Sequence, residues 1–425
     1  MSPSSLPGFL VTAVLAGCSS STSIGGRDTS TPLDTGIPTV HGDTSDSGDT
    51  AGDPLSDADW QAAWFSNEVI HEVGITLSDE AWDALSSDPY EFTPAAATFD
   101  DEAMTGLGVR LRGKVGSFRP LTGKPKFKFD FGEFTDGQRL HGLKSLALNN
   151  EVVDCSYLKE PVGYRVFRDA GLPAPRTSFA HVTVNGEDYG LYVIVEVPDG
   201  DFLSNWMPDD DKGQLYDGKY LYYSDGSYVM LDFNTGVDEQ FQLEEGTENA
   251  NAEIVATSSA IALASPAFQA DMDPLIDWDQ VHRVLAVEQW VGHVDGYAMN
   301  RNNYRVYYRP SDGKMMIIPW DFDYSFINDY EWGMSWTNPT GMIANRCWRD
   351  PDCLAAQAAG VQTVLDTIDT DALLAWFHEM DALTQDLAKA DPRKECSGPS
   401  IGRTQEQVRV WIGGRSEYMR GAWGL

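Results

Sequence analysis

The segment MMIIPWDFDYSF, residues 315–326, places two carboxylates directly after a strongly apolar stretch. The run 315–318 has the length and composition of a buried strand, and the Pro-Trp pair that follows ends it. Because a buried carboxylate is costly without a cation or hydrogen-bond donors, we expect Asp321 to face a charged or metal-binding site. Side-chain alternation then directs Phe322 back into the core and Asp323 to the side of Asp321, as a second metal ligand or a loop cap.

A second acidic motif lies upstream, in HVDGYAMN at residues 293–300. Asp295 and Asn300 stand five positions apart, and a predicted β-hairpin over 304–318 separates them from Asp321. The series H-x-D-x-x-x-x-N, hairpin, D-F-x is the arrangement of the catalytic and metal-binding loops of protein kinases. There one aspartate accepts the proton of the attacking hydroxyl group, and the asparagine and the later aspartate hold Mg²⁺ against phosphate oxygens. A helix-terminal cap for Asp295 and a turn position for Asn300 are the structural alternatives.

Two lysines and a glutamate would complete a site of this kind. In KFKFDF, residues 126–131, phenylalanines alternate with lysines, so the phenylalanines face a core while Lys126 and Lys128 face a surface or a cleft. The helical segment LKEPVGYRVFRDAG supplies Glu160, which could pin a strand lysine against phosphates. A solvent-exposed position on a strand or a helix is the alternative for each of the three.

The loop before this strand is rich in glycine, serine and lysine. In RLRGKVGS its backbone N–H groups could cover phosphates. A later strand ends in YVIVE, whose Glu196 could mark the segment that meets adenine, although any edge strand would have the same pattern. The candidate nucleotide-binding residues are Arg112, Gly113, Lys114, Gly116, Ser117 and Glu196.

Hydrophobic periodicity predicts strands in the first half of the chain and helices in the second. Ser78 is a candidate N-cap, Gly171 a candidate C-cap, and Asn185-Gly186 a hairpin turn. Residues 204–240 have no regular pattern. The predicted strands are 69–77, 93–99, 106–111, 126–131, 179–184, 189–197, 304–308 and 314–318, and the predicted helices are 78–85, 157–170, 250–267, 274–292, 354–390 and 403–420. The fold class that follows is α+β.

The first 56 residues predict a targeting segment and a tether. Residues 1–18 are typical of a lipoprotein signal peptide, because a short apolar stretch ends in Leu-Ala-Gly-Cys, which resembles a lipobox with Cys18 as the lipidated residue. Against this, residues 1–8 contain no Lys or Arg. The Ser-, Thr-, Gly- and Asp-rich residues 19–56 can bury almost nothing and predict a disordered acidic linker. We therefore expect an exported bacterial lipoprotein at the outer membrane or cell surface, in contact with the membrane only through Cys18.

Charge excludes some partners. The 30 basic and 65 acidic residues give a formal net charge of −35. Such a chain is unsuited to nonspecific nucleic-acid binding, which depends on phosphate neutralisation, and to docking on anionic lipid.

Four cysteines remain if Cys18 carries lipid, and an even number in an exported protein favours disulfides. Cys347 and Cys353 could close a small loop around a Pro-Asp turn. Cys155 with Cys396 is the remaining pairing.

Seven segments that follow one another between roughly residues 69 and 330 resemble the CotH family, spore-coat-type proteins with an atypical protein-kinase-like fold. They are VGITLSDEAWDAL, GVRLRGKVGS, KPKFKFDFGEF, LKSLALNNEVVDCSYLKEPVGYRVFRDAGLPAPR, VNGEDYGLYVIVEVPD, NNYRVYY and IPWDFDYSF. The resemblance implies that Asp295 is the catalytic aspartate and Asp321 the principal metal ligand, and the family's asparagine before the tyrosines matches Asn303. The chain departs from the patterns at Asp323, which replaces the glycine of D-F-G, and at Lys114-Val115, where many members have small polar residues.

The resemblance also implies a function. A two-lobed kinase-like domain is expected over 57–425, with an N-lobe over about 57–200 and a C-lobe over about 201–425. It would transfer the γ-phosphoryl group of ATP, with Mg²⁺ or Mn²⁺, to Ser, Thr or Tyr of a protein on the cell or spore surface, and we expect a monomer. A catalytically degenerate surface scaffold is the main alternative, and transfer of AMP instead of phosphate is a lesser one.

Overall fold

The computed structural model describes residues 55–114, 116–219, 229–234 and 236–425. The expected signal peptide, Cys18 and nearly all of the expected linker lie outside these residues. Contacts divide the chain into Met1–Asp53 and Pro54–Leu425, and every described residue belongs to the second unit. Within the described residues, no helix combines the length and the apolar character that crossing a membrane requires.

Seven strands in the first half of the described chain close into a barrel in the order β1-β2-β3-β4-β5-β7-β6. All neighbouring strands are antiparallel except β1 and β6, whose parallel pairing closes the barrel. The strands are β1 Ile70–Thr76, β2 Thr93–Phe99, β3 Glu102–Arg112, β4 Lys126–Asp130, β5 Ser145–Asn149, β6 Thr177–Val184 and β7 Glu187–Glu196.

The alternation in β4 sorts its side chains as predicted. Phe127 and Phe129 are fully buried inside the barrel, where Phe129 packs edge-on against Phe99 with ring centroids 5.5 Å apart. Lys126 and Lys128 lie on the opposite face, so the strand presents ammonium groups outward from the barrel interior.

A second sheet has the order β11-β10-β8-β9, and all of its pairs are antiparallel. Its strands are β8 Gln214–Gly218, β9 Phe241–Glu245, β10 Tyr304–Tyr308 and β11 Met315–Pro319. The hairpin of β10 and β11 was predicted, whereas β8 and β9 were not. They come from segments without clear alternation and become strands only by pairing with residues far along the chain.

The helices belong mostly to the second half of the chain. They are α1 Asp57–Trp64, α2 Asp79–Ser87, α3 Lys159–Asp169, α4 Gly200–Trp206, α5 Val237–Gln240, α6 Ala252–Leu263, α7 Phe268–Met272, α8 Trp278–Val291, α9 Met342–Arg349, α10 Pro351–Thr367, α11 Thr370–Ala390 and α12 Gly398–Trp423, with a 3-10 turn at Asp329–Trp332. The predicted caps are confirmed: Ser78 accepts from the backbone N–H of Ala81, and Gly171 adopts φ 70° after α3. The predicted helical segment 354–390 is divided in two, because Asp369 starts α11 by capping the N–H of Ala372.

The barrel packs on the helices through β7, whose residues are buried on both faces. Tyr192 and Ile194 point into the barrel, whereas Leu191 and Val193 join the larger core formed by the helices and the second sheet. Near-continuous apolar character is what a strand buried on both sides requires. The predicted α+β class, strand-rich and then helix-rich, is thus confirmed.

Both predicted disulfides are present. Cys155, just before α3, pairs with Cys396, just before α12, and Cys347 in α9 pairs with Cys353 in α10. The first links two segments that are 241 residues apart in sequence.

Candidate active site

Two adjoining cavities of about 350 and 290 Å³ lie between the barrel and the second sheet. Both are lined by Lys114 and Ser117 of the loop after β3, by Asn302 and Asn303 before β10, and by Asp321 after β11. The shared walls make them one cleft, and three of the predicted sequence motifs meet there.

Lys126 lies between the two aspartates of the D-F-D segment. Its Nζ is 2.9 Å from Asp321 Oδ2 and 3.4 Å from Asp323 Oδ2, and its side chain is 3% exposed. Burial alone would lower the pKa of Lys126, but the carboxylate of Asp321, and then that of Asp323, outweighs it and raises the pKa. Burial would likewise raise the pKa of Asp321, yet the Lys126 ammonium lowers it, so Asp321 is ionised.

The pKa of Asp323 is shifted in the opposite direction from that of Asp321. Burial, and then the charge of neighbouring Asp321, raises its pKa well above the usual range for an aspartate. The two carboxylates lie on one side of the segment, as predicted, and Asp321 is held there at φ 47°, with its N–H donating to the Tyr164 hydroxyl at 3.0 Å. A left-handed non-glycine residue is uncommon and marks a position that its surroundings enforce.

Glu160 lies close to this cluster but does not pair with a strand lysine. Its Oε2 accepts from Asn149 Nδ2 at 2.6 Å, while its buried Oε1 has no hydrogen-bond partner among the described residues. Asn149 Oδ1 in turn accepts from Arg112 Nη1 at 3.1 Å. Burial, and next the charge of Asp321, raises the pKa of Glu160 to about 7. The lysine–glutamate contact suggested by the kinase pattern is absent because Lys126 pairs with the ionised Asp321 instead.

Two participants of this cluster were missed in the sequence. Asn149 is the last residue of β5. Glu151, two positions later, adopts φ 53° and is 3% exposed, and one of its carboxylate oxygens has no hydrogen-bond partner among the described residues. Burial, and then neighbouring Glu160, raises the pKa of Glu151 well above its usual range. The run Asn149-Asn150-Glu151 after an apolar strand was the available signal, since polar residues at a strand end often reach a site.

Asp295 forms the other acidic centre of the cleft. Its carboxylate accepts from three side-chain amides: Asn300, Asn302 at 3.2 Å and Asn303 at 2.9 Å. The side chain is 7% exposed and lines the 290 Å³ cavity. Burial raises its pKa to about 6, although the asparagine hydrogen bonds oppose this shift. Both candidate asparagines therefore contact Asp295, and Asn302, which was not predicted, does so too.

A buried glutamate positions the loop that carries Asp295. Glu288, near the end of α8, accepts from the backbone N–H groups of Tyr297 and Ala298, each at 2.9 Å, and burial raises its pKa to about 7. On the other side of the loop, the His293 ring lies 4.6 Å from the Phe322 ring. Phe322 is fully buried, as predicted, and its contact with the His293 ring links the loop of Asp295 to the D-F-D segment.

Cations line the wall of the larger cavity. Arg110, Arg112, Lys114, Lys126 and Lys219 all border it, in a chain whose net charge is −35. The guanidinium groups of Arg112 and Arg305 lie 4.9 and 5.0 Å from the Trp320 ring. Behind this wall, burial and then the charge of Arg305 lower the pKa of Lys128 to about 8. Such a concentration of positive charge suits a polyanionic ligand.

The predicted phosphate-covering loop has the backbone that such a role needs. Gly113 and Gly116 adopt φ 93° and 86°, in the region that favours glycine, and Ser117 lies beside them. Residue 115 is outside the described residues. Glu196 lies apart from the cleft lining: its Oε1 pairs with Arg176 Nη2 at 2.6 Å, and it borders neither cavity.

The donor set suits a hard divalent ion. Asp321 and Asp323 offer carboxylate oxygens beside the amide groups of Asn300 and Asn303, and Mg²⁺ usually takes one or two carboxylates together with phosphate oxygens and water. Within the described residues, three His, Cys, Asp or Glu ligand atoms lie within 4.8 Å of one another only at His282, Cys347 and Cys353, outside this cleft. The cleft thus provides part of a coordination shell, with phosphates and water left to complete it.

Comparisons with known proteins agree with the motif series. The family model described as "CotH kinase protein" matches residues 109–419. The inner spore coat protein H of Bacillus subtilis (strain 168) is 24% identical over 206 residues, covering 46% of this chain and 54% of that protein. The chain thus spans about half the length of this relative.

Similar solved structures match only loosely. They include a chain of the Shewanella oneidensis MR-1 HipA, HipB and operator DNA complex (13% identity, 83% of this chain, 74% of that chain, TM-score 0.31). The Helicobacter pylori proinflammatory kinase CtkA also matches, with 9% identity over 77% of this chain and 92% of that chain and a TM-score of 0.25. The Golgi casein kinase with Mn/ADP bound matches with 8% identity over 80% of this chain and 77% of that chain and a TM-score of 0.26. At these TM-scores they add nothing to the interpretation of the site.

Proposed function

Because the chain belongs to the CotH kinase protein family, we propose that it is an exported protein kinase, anchored through Cys18, that transfers the γ-phosphoryl group of ATP to a protein hydroxyl group. The observation that carries this proposal is the meeting of Asp295 and the Lys126–Asp321 pair in one cleft with a cationic wall. A phosphoryl-transfer site needs a proton acceptor, a metal ligand and phosphate-binding cations together.

Each group has a defined task in this reaction. The acceptor hydroxyl oxygen attacks the γ-phosphorus, the bond from that phosphorus to the β,γ-bridging oxygen breaks, and ADP leaves. Asp295, in its ionised form, takes the hydroxyl proton while the Asn300 and Asn303 amides fix its orientation. Lys126 and Arg112 bind the phosphate oxygens. Asp321 and Asp323 would hold Mg²⁺ or Mn²⁺, which supplies neutralisation of the phosphate charge.

The acceptor is proposed to be a protein at the cell or spore surface. The name of the Bacillus subtilis relative, inner spore coat protein H, assigns that protein to the spore coat. The net charge of −35 weighs against a nucleic-acid partner, and the proposed enzyme acts as a monomer.

A degenerate scaffold remains the alternative, and one observation favours it. Lys126 contacts Asp321 and Asp323, the two carboxylates that the metal would need, and leaves Glu160 without an ion pair. A scaffold would keep this closed charge cluster permanently, so adding ATP and Mg²⁺ would not raise its melting temperature.

Labelled nucleotide separates these functions. We expect the purified protein with Mg²⁺ or Mn²⁺ to transfer label from [γ-³²P]ATP, and not from [α-³²P]ATP, to itself or to casein. Asp321→Asn should abolish the transfer, whereas Asp386→Asn, an exposed aspartate on α11, should leave it intact. Label from the α-phosphate would establish AMP transfer instead, and no label together with no thermal shift would establish the scaffold.

The pKa of Asp295 predicts the pH profile. Since burial raises it from 3.8 to about 6, Asp295 is protonated below that pH and cannot accept a proton. We expect kcat/KM to rise about tenfold per pH unit up to pH 6 and to level off above it. A profile still flat at pH 5 would contradict this assignment.

The same shift predicts how stability depends on pH. The folded state prefers protonated Asp295, so the contribution of this residue to the free energy of unfolding should fall as the pH rises from 3.8 to about 6.

A further inference from the structure

A second cluster of potential ligands lies away from the cleft, where α8, α9 and α10 meet. His282 of α8 lies beside the disulfide between Cys347 and Cys353, and one of its ring nitrogens and both sulfurs lie within 4.8 Å of one another. All three residues are buried: His282 is 5% exposed, Cys347 2% and Cys353 0%. Nothing in the proposed kinase chemistry uses them.

Gln357 fixes the tautomer of this histidine. Its Nε2 donates to the backbone oxygen of His282 at 3.0 Å, so its Oε1 is the atom that faces His282 Nδ1 at 2.8 Å. An amide oxygen can only accept, and therefore Nδ1 carries the proton. The lone pair is then on Nε2, which is buried and has no hydrogen-bond partner among the described residues.

A buried imidazole lone pair without a donor is costly, and two cysteine sulfurs lie beside this ring. An imidazole whose other nitrogen donates to an amide oxygen is also the usual arrangement of a metal-binding histidine, in which the outer partner fixes the ring. While the disulfide is closed the sulfurs are poor ligands. Opened, they become two thiolates beside a nitrogen that already has the correct tautomer.

We propose that the dithiol form of this protein binds one thiophilic cation of the Zn²⁺ class through His282 Nε2, Cys347 Sγ and Cys353 Sγ. A thiol reductant opens the disulfide: two reductant thiols become one disulfide, and the two electrons and two protons give two cysteine thiols. The cation then displaces both thiol protons to solvent as two metal–sulfur bonds and one metal–nitrogen bond form.

Space for a fourth ligand lies next to the site. A cavity of about 30 Å³ is bordered by Cys347 and Gln357, though not by His282 or Cys353, and such a volume accommodates one water molecule on the Cys347 side of the site. Three protein ligands and one water complete the tetrahedral shell that Zn²⁺ prefers.

The site links helices that also support the cleft. α8 carries both His282 and Glu288, the residue that positions the Asp295 loop. Disulfides do not persist in reducing compartments, and an exported chain is synthesised in one. The cation would therefore hold α8, α9 and α10 together before the disulfide forms, a role that does not depend on kinase activity.

Cobalt titration tests the proposal, because Co²⁺ in a thiolate site is coloured and Zn²⁺ displaces it. The purified protein, reduced with a phosphine in metal-free buffer, should bind one Co²⁺ per chain with thiolate charge-transfer absorption, and the oxidised protein should bind none. His282→Gln should remove this binding. Gln357→Leu, which frees the histidine ring, should weaken it by about 10–100-fold.

The double variant Cys347→Ser/Cys353→Ser is the control for the other thiols, and circular dichroism checks the fold of every sample. Binding that persists in this variant or in His282→Gln would overturn the proposal. If reduction unfolds the chain, Zn²⁺ added during refolding should restore its melting transition in the wild type but not in His282→Gln. No restoration in the wild type would equally overturn it.

Discussion

Replacing Asp295 with asparagine should lower kcat for phosphoryl transfer by about 10²–10⁴-fold, the range that general-base catalysis contributes. The substitution keeps the shape of the side chain but removes its ability to accept the proton of the attacking hydroxyl group. Asp295 borders the smaller cavity and not the larger, cation-lined one. The KM for ATP should therefore change little. Initial rates with [γ-³²P]ATP at several ATP concentrations separate the two parameters.

The three asparagine amides around this position supply the internal control. Asn302→Ala removes one donor to Asp295, at 3.2 Å, and leaves the base in place, so the loss of kcat should be much smaller. Asp386→Asn controls for the loss of one negative charge elsewhere. A folded Asp295→Asn protein that keeps more than about a tenth of the wild-type kcat would show that the proton leaves by another route.

The elements that could be predicted from the sequence are those whose signal is local. The alternation of KFKFDF determined which side chains of β4 face the barrel, and Ser78, Gly171 and Asn185-Gly186 marked a helix start, a helix end and a turn. Each depends on residues within a few positions of one another. The strands β8 and β9 could not be predicted in this way, because β8 pairs with β10 and with β9, each tens of residues away, and the pattern of both strands is weak.

The candidate site likewise has parts that local motifs predicted and parts that depend on contacts between distant residues. Asp295 and Asp321 belong to spaced motifs, and the structure brings them to one cleft, whereas Phe322 is buried against the His293 ring. The partner of Lys126 was not predictable, because Asp321 is 195 residues away and Glu160 was an equally reasonable choice. Electrostatics in the buried cluster determine the partner of Lys126. Ionised Asp321 attracts the ammonium more strongly than Glu160 does, because the Glu160 carboxylate already accepts from Asn149.

One buried ion pair outside the cleft is important for holding the two halves of the chain together. Lys124, before β4, donates to Asp391 Oδ2 at 2.6 Å and to the Leu191 oxygen at 2.7 Å. The two charged side chains are 1% and 0% exposed. Asp391 follows α11, so the pair joins the barrel to the C-terminal helices. Burial lowers the pKa of Lys124, against the attraction of Asp391, which shows how much the ammonium depends on its partner.

Asp391→Asn should therefore reduce the free energy of unfolding by about 3–5 kcal/mol, the usual cost of removing one partner from a buried pair. The amide occupies the same space but leaves the Lys124 ammonium buried without a counter-charge. Chemical denaturation followed by tryptophan fluorescence measures the change as a lower midpoint with an unchanged slope.

An exposed pair provides the comparison that separates burial from charge. Glu406 forms a salt bridge with Arg409 on α12, and both side chains are largely exposed, so Glu406→Gln should leave the denaturation midpoint close to that of the wild type. Adding Lys124→Met to Asp391→Asn removes the uncompensated ammonium and should recover part of the loss, because an apolar side chain suits this site better than an unpaired charge. If Asp391→Asn cost no more than Glu406→Gln, the Lys124–Asp391 contact would not be what joins the barrel to α11. The stability of that junction would then depend on the Cys155–Cys396 disulfide and on the packing of β7 against the helical core.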